Sequence, residues 1–123
     1  MKKTICIFGD SITWGLWDHQ RGGWVARLRS YFETNNFETN NIETNNIEVN
    51  VYNCGVCGDS TDDLLQRFKV EATARKANII IFAIGINDSQ YINSKDHPCV
   101  PIEKLQNNLQ ELINQAKKIT NKL

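Results

Sequence analysis

Three short apolar runs constrain this 123-residue chain more than any other feature of its sequence. They read TICIF at 4–8, EVNVY at 48–52 and NIIIFAI at 78–84. The first and third runs are nearly continuous in apolar residues, a pattern typical of strands that are buried on both faces. Because such strands belong to parallel sheets, the sequence predicts a single α/β domain.

Helical patterns lie between and after the predicted strands. Apolar residues recur at helical spacing over 24–32, 64–72 and 101–119. Either Ser60 or Thr61 is expected to cap the second helix. The order βαβαβα predicts a doubly wound, three-layer sheet with right-handed crossovers.

A five-residue repeat lies between the first predicted helix and the second predicted strand. It reads NNFET NNIET NNIEV over 35–49. Three copies are too few to stack a core of their own, as a solenoid would require. We therefore interpret 35–49 as an insertion in the single domain 1–123, one that lengthens the first helix or the loop after it.

The composition argues against partners that are recognised by charge. Lysine plus arginine and aspartate plus glutamate each number 14, so no basic surface for nucleic acid is expected. The N-terminal apolar run is too short for a signal peptide, and no run approaches a membrane span. A cytoplasmic location is expected, with the four cysteines reduced. Cys54 and Cys57 form one C-x-x-C without a second ligand pair, and neither a metal nor another cofactor is predicted.

A polar, glycine-containing turn follows each predicted strand at once. The turns read GDS at 9–11, NCGVCGDST at 53–61 and GIND at 85–88. Since the carboxyl ends of parallel strands share one edge of the sheet, where ligands bind in such folds, the three turns are expected to form one site.

The residue types in these turns suit acyl transfer. Ser11 is a candidate nucleophile for a carbonyl carbon, although a serine hydroxyl reacts only after a base takes its proton. The oxyanion that forms needs hydrogen-bond donors aimed at it in advance. The backbone N–H groups of Ser11 and Gly58 and the side-chain amide of Asn87 are the candidate donors. We name the segments 9–11, 53–61 and 85–88 the nucleophile turn, the glycine turn and the asparagine turn.

Together the three turns resemble the sequence blocks of the SGNH hydrolases, also called GDSL-type esterases and lipases. The resemblance rests on FGDSIT, NCGVCGDST and GIND in that order, and it covers 4–119 apart from the insertion. It implies a flavodoxin-like sheet of about five strands, ordered 2-1-3-4-5, and hydrolysis of esters, thioesters or acetyl groups on sugars without a cofactor. The G-x-S-x-G elbow of the α/β-hydrolases is absent from this sequence.

The resemblance also implies roles for individual residues. Ser11 matches the nucleophile, and Gly58 and Asn87 match the oxyanion-hole residues. Polar residues that support the three turns in the family are matched by Asp10, Asn53 and Asp88.

The fourth block of the family, D-x-x-H, supplies the general base, and it does not occur in this sequence. By the resemblance, the 123 residues correspond to about the N-terminal two thirds of the domain, with strands in the order 2-1-3 and the last two strands missing. His97 follows Asp96 directly, and an adjacent carboxylate cannot readily orient the imidazole, so an ordinary loop histidine is expected. His19 could substitute for the base, but we prefer to interpret it as a residue at the rim of the site or as a substrate contact. No general base is identified.

Three tryptophans lie near the nucleophile turn in the sequence. Trp14 and Trp17, with His19, are candidates to line a pocket for an acyl or aryl group. Trp24, in contrast, is expected to lie on the face of the first helix that packs into the core.

The sequence thus predicts a serine esterase scaffold that acts on small-molecule esters through Ser11, with low activity for this chain alone. The alternative is a non-catalytic acyl- or carbohydrate-binding module, or an enzyme remnant, on the same scaffold. The predicted strand at 78–84 would form an exposed sheet edge, which favours pairing with a second copy or with a complementing fragment.

Overall fold

The computed structural model describes residues 2–39, 48–93 and 96–120. Within them lies one parallel sheet in the order β2-β1-β3. Its strands are β1 (Lys2–Gly9), β2 (Glu48–Gly55) and β3 (Ile79–Ala83). The α/β class and the 2-1-3 strand order that the sequence predicts are confirmed.

Four helices connect and follow these strands in the described residues. They are α1 (Ser11–Trp14), α2 (Trp24–Thr39), α3 (Thr61–Ala74) and α4 (Ile102–Ile119). Helix α1 is a single turn that the apolar pattern does not reveal. No described helix combines the length and the apolar character needed to cross a membrane.

The repeat at 35–49 overlaps two elements of the fold. Helix α2 continues through its first copy to Thr39, and β2 begins at Glu48. Residues 40–47 lie outside the described residues. The interpretation of 35–49 as an insertion remains a prediction.

Two apolar clusters cover the two faces of the sheet, which makes three layers. On one face, Phe8 packs with Phe68 of α3 and Leu112 of α4. On the other face, Ile7 packs with Val25 of α2. Alternate side chains of β1 point into opposite clusters, and this explains why its sequence is apolar almost without interruption.

The expected core position of Trp24 is wrong. Trp24 is the first residue of α2 and its surface is 40% exposed, whereas the next residue, Val25, is fully buried against the sheet. A helix presents only one stripe of its surface to the sheet, and Val25 lies on that stripe.

The residue that caps α3 is Ser60 and not Thr61. Its hydroxyl accepts a hydrogen bond from the Asp63 N–H at 3.4 Å, and the Asp63 carboxylate accepts one from the Ser60 N–H at 2.9 Å. This reciprocal capping box satisfies two donors at the helix end. The first turn of α3 is thereby fixed directly after the glycine turn.

A buried polar network joins α3, the turn after β3 and α4. Asp88 is fully buried, and its carboxylate accepts hydrogen bonds from the Thr61 N–H at 2.9 Å and from the Thr61 hydroxyl. The Asn108 amide of α4 donates to the Thr61 hydroxyl oxygen at 2.9 Å. These bonds satisfy the carboxylate, which is otherwise expensive to bury.

We expect Asp88→Asn to lower the free energy of unfolding by about 1–3 kcal/mol. The substitution replaces one acceptor oxygen with an NH₂ group that faces the donors of Thr61, so one of the buried donors loses its partner. Urea unfolding followed by circular dichroism measures the change.

Asp96→Asn is the matched control, because Asp96 is an exposed aspartate a short distance along the same connection. Its expected effect is within about 0.5 kcal/mol. Equal unfolding free energies for the two variants would contradict the structural role of Asp88.

Candidate active site

The carboxyl ends of the three strands lie side by side. Gly9, the last residue of β1, pairs with Gly55 of β2 and with Ala83 of β3. The nucleophile turn, the glycine turn and the asparagine turn all leave the sheet from this edge. The structure therefore brings together the three segments that the sequence analysis assigns to one site.

The nucleophile turn leads directly into the short helix α1, whose start is capped by Asp10. Ser11 begins α1, and the buried Asp10 carboxylate accepts a hydrogen bond from the Ile12 N–H at 2.9 Å. Gly15 ends the helix in the left-handed conformation, with φ of 105°, and its N–H donates to the Ser11 carbonyl. Neither the Ser11 hydroxyl nor the Ser11 N–H makes a hydrogen bond with the described residues.

Glycines at the strand ends let α1 approach the sheet closely. A Cβ atom at Gly9 would lie 2.0 Å from Thr13 Oγ1 and 2.5 Å from the Ala83 carbonyl oxygen. A Cβ atom at Gly55 would lie 2.4 Å from the Trp14 nitrogen. All three distances are too short for any side chain, so the position of Ser11 relative to the sheet depends on these two glycines.

Asn53 ties α1 to the end of β2. Its Nδ2 donates to the Thr13 carbonyl at 2.9 Å, and its Oδ1 accepts from the Gly55 N–H at 2.9 Å. One side chain therefore connects the nucleophile turn to the strand that leads into the glycine turn.

The glycine turn places Gly58 in an exposed left-handed conformation. Its φ is 85°, and a Cβ atom there would meet nothing within 4 Å, so the backbone conformation and not space favours glycine. The Asp59 N–H donates to the Val56 carbonyl at 3.2 Å, and the Val56 N–H donates to the Gly9 carbonyl at 3.1 Å. Within the part of the chain that is described, the Gly58 N–H has no acceptor.

Asn87 links the asparagine turn to the glycine turn. Its Nδ2 donates to the Asp59 carbonyl at 2.9 Å. An amide NH₂ carries two hydrogens, and the second one makes no hydrogen bond with the described residues. Two of the three predicted oxyanion donors, Gly58 and Asn87, thus belong to turns that are bonded to each other.

Arg67 is a site residue that the sequence analysis missed. From α3 its Nε binds the Asp59 carboxylate at 2.8 Å, and its Nη2 donates to the Gly9 carbonyl at 3.3 Å. The only sequence signal is the i,i+4 spacing between Arg67 and Glu71, whose carboxylate is 2.9 Å from Nη1. That spacing predicts a pair on one helix face and does not reveal the other two contacts.

The end of α1 and the loop after it carry the candidate pocket residues. Trp14 is 54% exposed and Trp17 is 78% exposed. The exposed His19 ring packs edge-on against Trp17 with the ring centroids 6.1 Å apart, and no hydrogen bond joins it to Ser11. Trp14 thus ends α1, and Trp17 and His19 follow it in the loop beside the nucleophile turn.

Asp18 holds this loop in place. Its carboxylate accepts hydrogen bonds from the N–H groups of Arg21 at 3.1 Å and Gly23 at 3.0 Å, and it pairs with the Arg27 guanidinium at 2.8 Å. These bonds, first those from the backbone of Arg21 and then of Gly23, lower the pKa of the Asp18 carboxyl. The loop is thereby ordered around a carboxylate that is ionised at neutral pH.

His97 lies in the connection between the asparagine turn and α4, as an exposed residue. Its carbonyl accepts a hydrogen bond from the Ile92 N–H at 2.7 Å, beside an antiparallel bridge between Tyr91 and Pro98. This position agrees with the loop histidine that the sequence predicts.

The four cysteines are free thiols. Cys6 and Cys54 are buried in neighbouring strands, whereas Cys57 is exposed. A hydrogen bond with Cys54, together with burial, raises the pKa of the Cys6 thiol. Cys6 is therefore an inert core residue at neutral pH.

A family of known proteins matches nearly the whole chain. The family model described as GDSL-like Lipase/Acylhydrolase matches residues 7–122. No curated protein matches this chain.

Solved esterase structures share the fold. A catalytic mutant of an acetylxylan esterase from Geobacillus stearothermophilus is 21% identical, with a TM-score of 0.71, over 96% of this chain and 56% of that one. A psychrotrophic esterase from Pseudoalteromonas sp. is 20% identical, with a TM-score of 0.73, over 96% and 57%. A lipase/acylhydrolase from Enterococcus faecalis is 27% identical, with a TM-score of 0.63, over 92% and 51%.

The chain thus spans a little more than half the length of these solved structures. The family model covers nearly all of its residues, and the matched region contains all three turns. This chain belongs to the GDSL-like lipase/acylhydrolase family, the SGNH hydrolases.

Proposed function

We propose that this chain carries the nucleophile and the oxyanion hole of a serine ester hydrolase. Its substrates are small-molecule carboxylic esters, thioesters or O-acetyl groups. The observation that carries the proposal is the meeting of three turns at one sheet edge, with the Asn87 amide bonded to the glycine turn at Asp59.

The proposed reaction begins when Ser11 Oγ attacks the carbonyl carbon and loses its proton to a base. The carbonyl oxygen becomes an oxyanion, which the N–H groups of Ser11 and Gly58 and the Asn87 amide stabilise. The intermediate then expels the protonated alcohol or thiol and leaves an acyl group on Ser11, which water removes. A single donor of this kind is worth about 2.7–4 kcal/mol of transition-state stabilisation.

The base is proposed to come from polypeptide outside these 123 residues. No hydrogen bond joins Ser11 Oγ to His19 in the structure, and the family resemblance assigns the base to a D-x-x-H block that the sequence does not contain. With oxyanion donors and binding alone, such a site retains about 10³–10⁴-fold acceleration over water. We therefore expect the chain by itself to be an impaired enzyme.

Trp14 and Trp17 are proposed to contact the acyl or aryl part of the substrate, with His19 at the rim. Both indoles are largely exposed and lie in the segment that follows Ser11, and an apolar substrate group would cover them. The proposed setting is the cytoplasm, where a reducing environment would keep the four thiols free.

We expect an alkyl fluorophosphonate to label Ser11 slowly but selectively. Oγ forms a bond to phosphorus, fluoride leaves, and the serine proton passes to solvent. Mass spectrometry of peptides locates the adduct and gives its rate of formation. Asn87→Ala is expected to slow labelling by about 10²–10³-fold, since one oxyanion donor is lost.

Ser11→Ala abolishes the adduct on this proposal, whereas Ser30→Ala, at an exposed serine of α2, leaves it unchanged. A folded wild-type chain without any label at Ser11 would overturn the catalytic proposal. That result would favour a non-catalytic acyl- or carbohydrate-binding module, or an enzyme remnant, on the same scaffold.

We also propose that the outer edge of β3 pairs with a further strand. Among the described residues, β3 pairs only with β1, while Ile81 packs on one face of the sheet and Phe82 on the other. The family resemblance implies further strands on this side, and an unpaired apolar edge attracts another chain. In a solution of the 123-residue chain, the partner is a second copy.

Sedimentation velocity across a wide range of protein concentration tests this pairing. We expect reversible association, accompanied by slower hydrogen exchange of the β3 amides as the dimer forms. A monodisperse monomer at every concentration would contradict the proposed edge contact.

A further inference from the structure

One guanidinium, that of Arg67 in α3, joins the end of β1 to the glycine turn. Arg67 of α3 binds the Asp59 carboxylate through Nε at 2.8 Å and the Glu71 carboxylate through Nη1 at 2.9 Å. Its Nη2 donates to the Gly9 carbonyl at 3.3 Å. The side chain is only 18% exposed, so it bridges its partners inside the fold and not across solvent.

Each of two contacts ends next to a proposed catalytic group. Gly9 is the last residue of β1, two positions before Ser11. Asp59 follows Gly58 directly, and its carbonyl accepts the hydrogen bond from Asn87. The planar fork of Arg67 therefore sets the end of β1 relative to the glycine turn, which carries Gly58 and is bonded to Asn87.

The charge of Arg67 matters at the same place. The Asp59 carboxylate is 11% exposed and adjoins Gly58 in sequence. Without a cation, this anion would oppose the negative charge that develops on the substrate oxygen. The bond from Nε to Asp59 offsets that charge.

We propose that Arg67 is a positioning residue for the oxyanion hole. It fixes the Gly58 turn against the end of β1 and neutralises Asp59. The proposal rests on the proposed function for its catalytic consequence, but the positioning itself is measurable without any substrate.

Lysine cannot replace Arg67 in this role. A lysine ammonium retains the charge but is a compact group on a flexible stem, and it lacks the planar fork that meets three separate acceptors. Arg67→Lys therefore separates positioning from charge. Arg75→Lys is the matched control, because Arg75 caps the C-terminal end of the same helix, donates to the Glu71 carbonyl at 3.1 Å and lies over the Tyr52 ring at 5.5 Å. Among the described residues, its side chain makes no hydrogen bond to the three turns.

The first measurement is hydrogen exchange by nuclear magnetic resonance. The reporters are the N–H groups of Val56 and Asp59, which close the glycine turn, and the side-chain amide of Asn87. In Arg67→Lys, we expect their exchange to accelerate about tenfold relative to the amides of β1. Arg75→Lys should leave this ratio unchanged.

An unchanged ratio in Arg67→Lys, or the same change in both variants, overturns the proposal. If Arg67→Lys does not fold, Asp59→Asn provides the second variant, because it keeps the backbone of the turn and removes the bonded carboxylate. The same local acceleration is expected there, and its absence also overturns the proposal.

The second measurement is the rate of Ser11 acylation by p-nitrophenyl acetate. Arg67→Lys should lower the maximal rate by about ten- to a hundredfold at unchanged substrate affinity, since donors displaced by a fraction of an ångström stabilise the oxyanion poorly. Arg75→Lys should remain within about twofold. An equal maximal rate in wild type and Arg67→Lys overturns the catalytic part of the proposal.

The two measurements can fail separately. A wild-type chain whose Ser11 does not react with p-nitrophenyl acetate or with the fluorophosphonate removes the proposed function. The exchange ratio still decides whether Arg67 positions the glycine turn.

Discussion

The parallel pairing of β1 with both of its neighbours is the constraint on which the rest of the structure depends. Residues 4–10 are all buried, and the strand satisfies its backbone groups on both sides through β2 and β3. Because all three strands run in one direction, their carboxyl ends must meet at one edge. The glycines at that edge then allow α1 to lie against the strand ends, and this contact sets the position of Ser11.

Much of this fold could be predicted from the sequence because its signals are local. The strands differ from their predicted ranges only at the ends, and α4 begins after Pro101 with its apolar stripe on the core. Helix α1 was not predicted, because a single turn is too short to show an apolar period. Asp10 before it and Gly15 after it are nevertheless ordinary signals for the start and the end of a helix. Trp24 misled the prediction because the period of a helix does not specify which of two adjacent apolar residues faces the sheet.

The interactions within the candidate site were less accessible to sequence reasoning because they are long-range. Arg67 meets the Gly9 carbonyl from 58 positions away, and Asn87 meets the Asp59 carbonyl from 28 positions away. The topology brings the turns to one edge, but it does not specify which donor meets which acceptor there. Asn53 and Asp88 have comparable contacts, with Thr13 and Thr61, that only the packed structure reveals.

The contacts within the candidate site also separate two requirements of serine catalysis. On the proposed function, the oxyanion donors are held by the ends of three strands and by side chains that are bonded within the described residues. The base has no such support, since nothing in those contacts orients an imidazole toward Ser11. Stabilising an oxyanion requires rigid dipoles, whereas activating a serine requires a proton acceptor within hydrogen-bond distance. A chain of this kind can therefore carry an ordered oxyanion hole while its nucleophile still depends on a group from elsewhere.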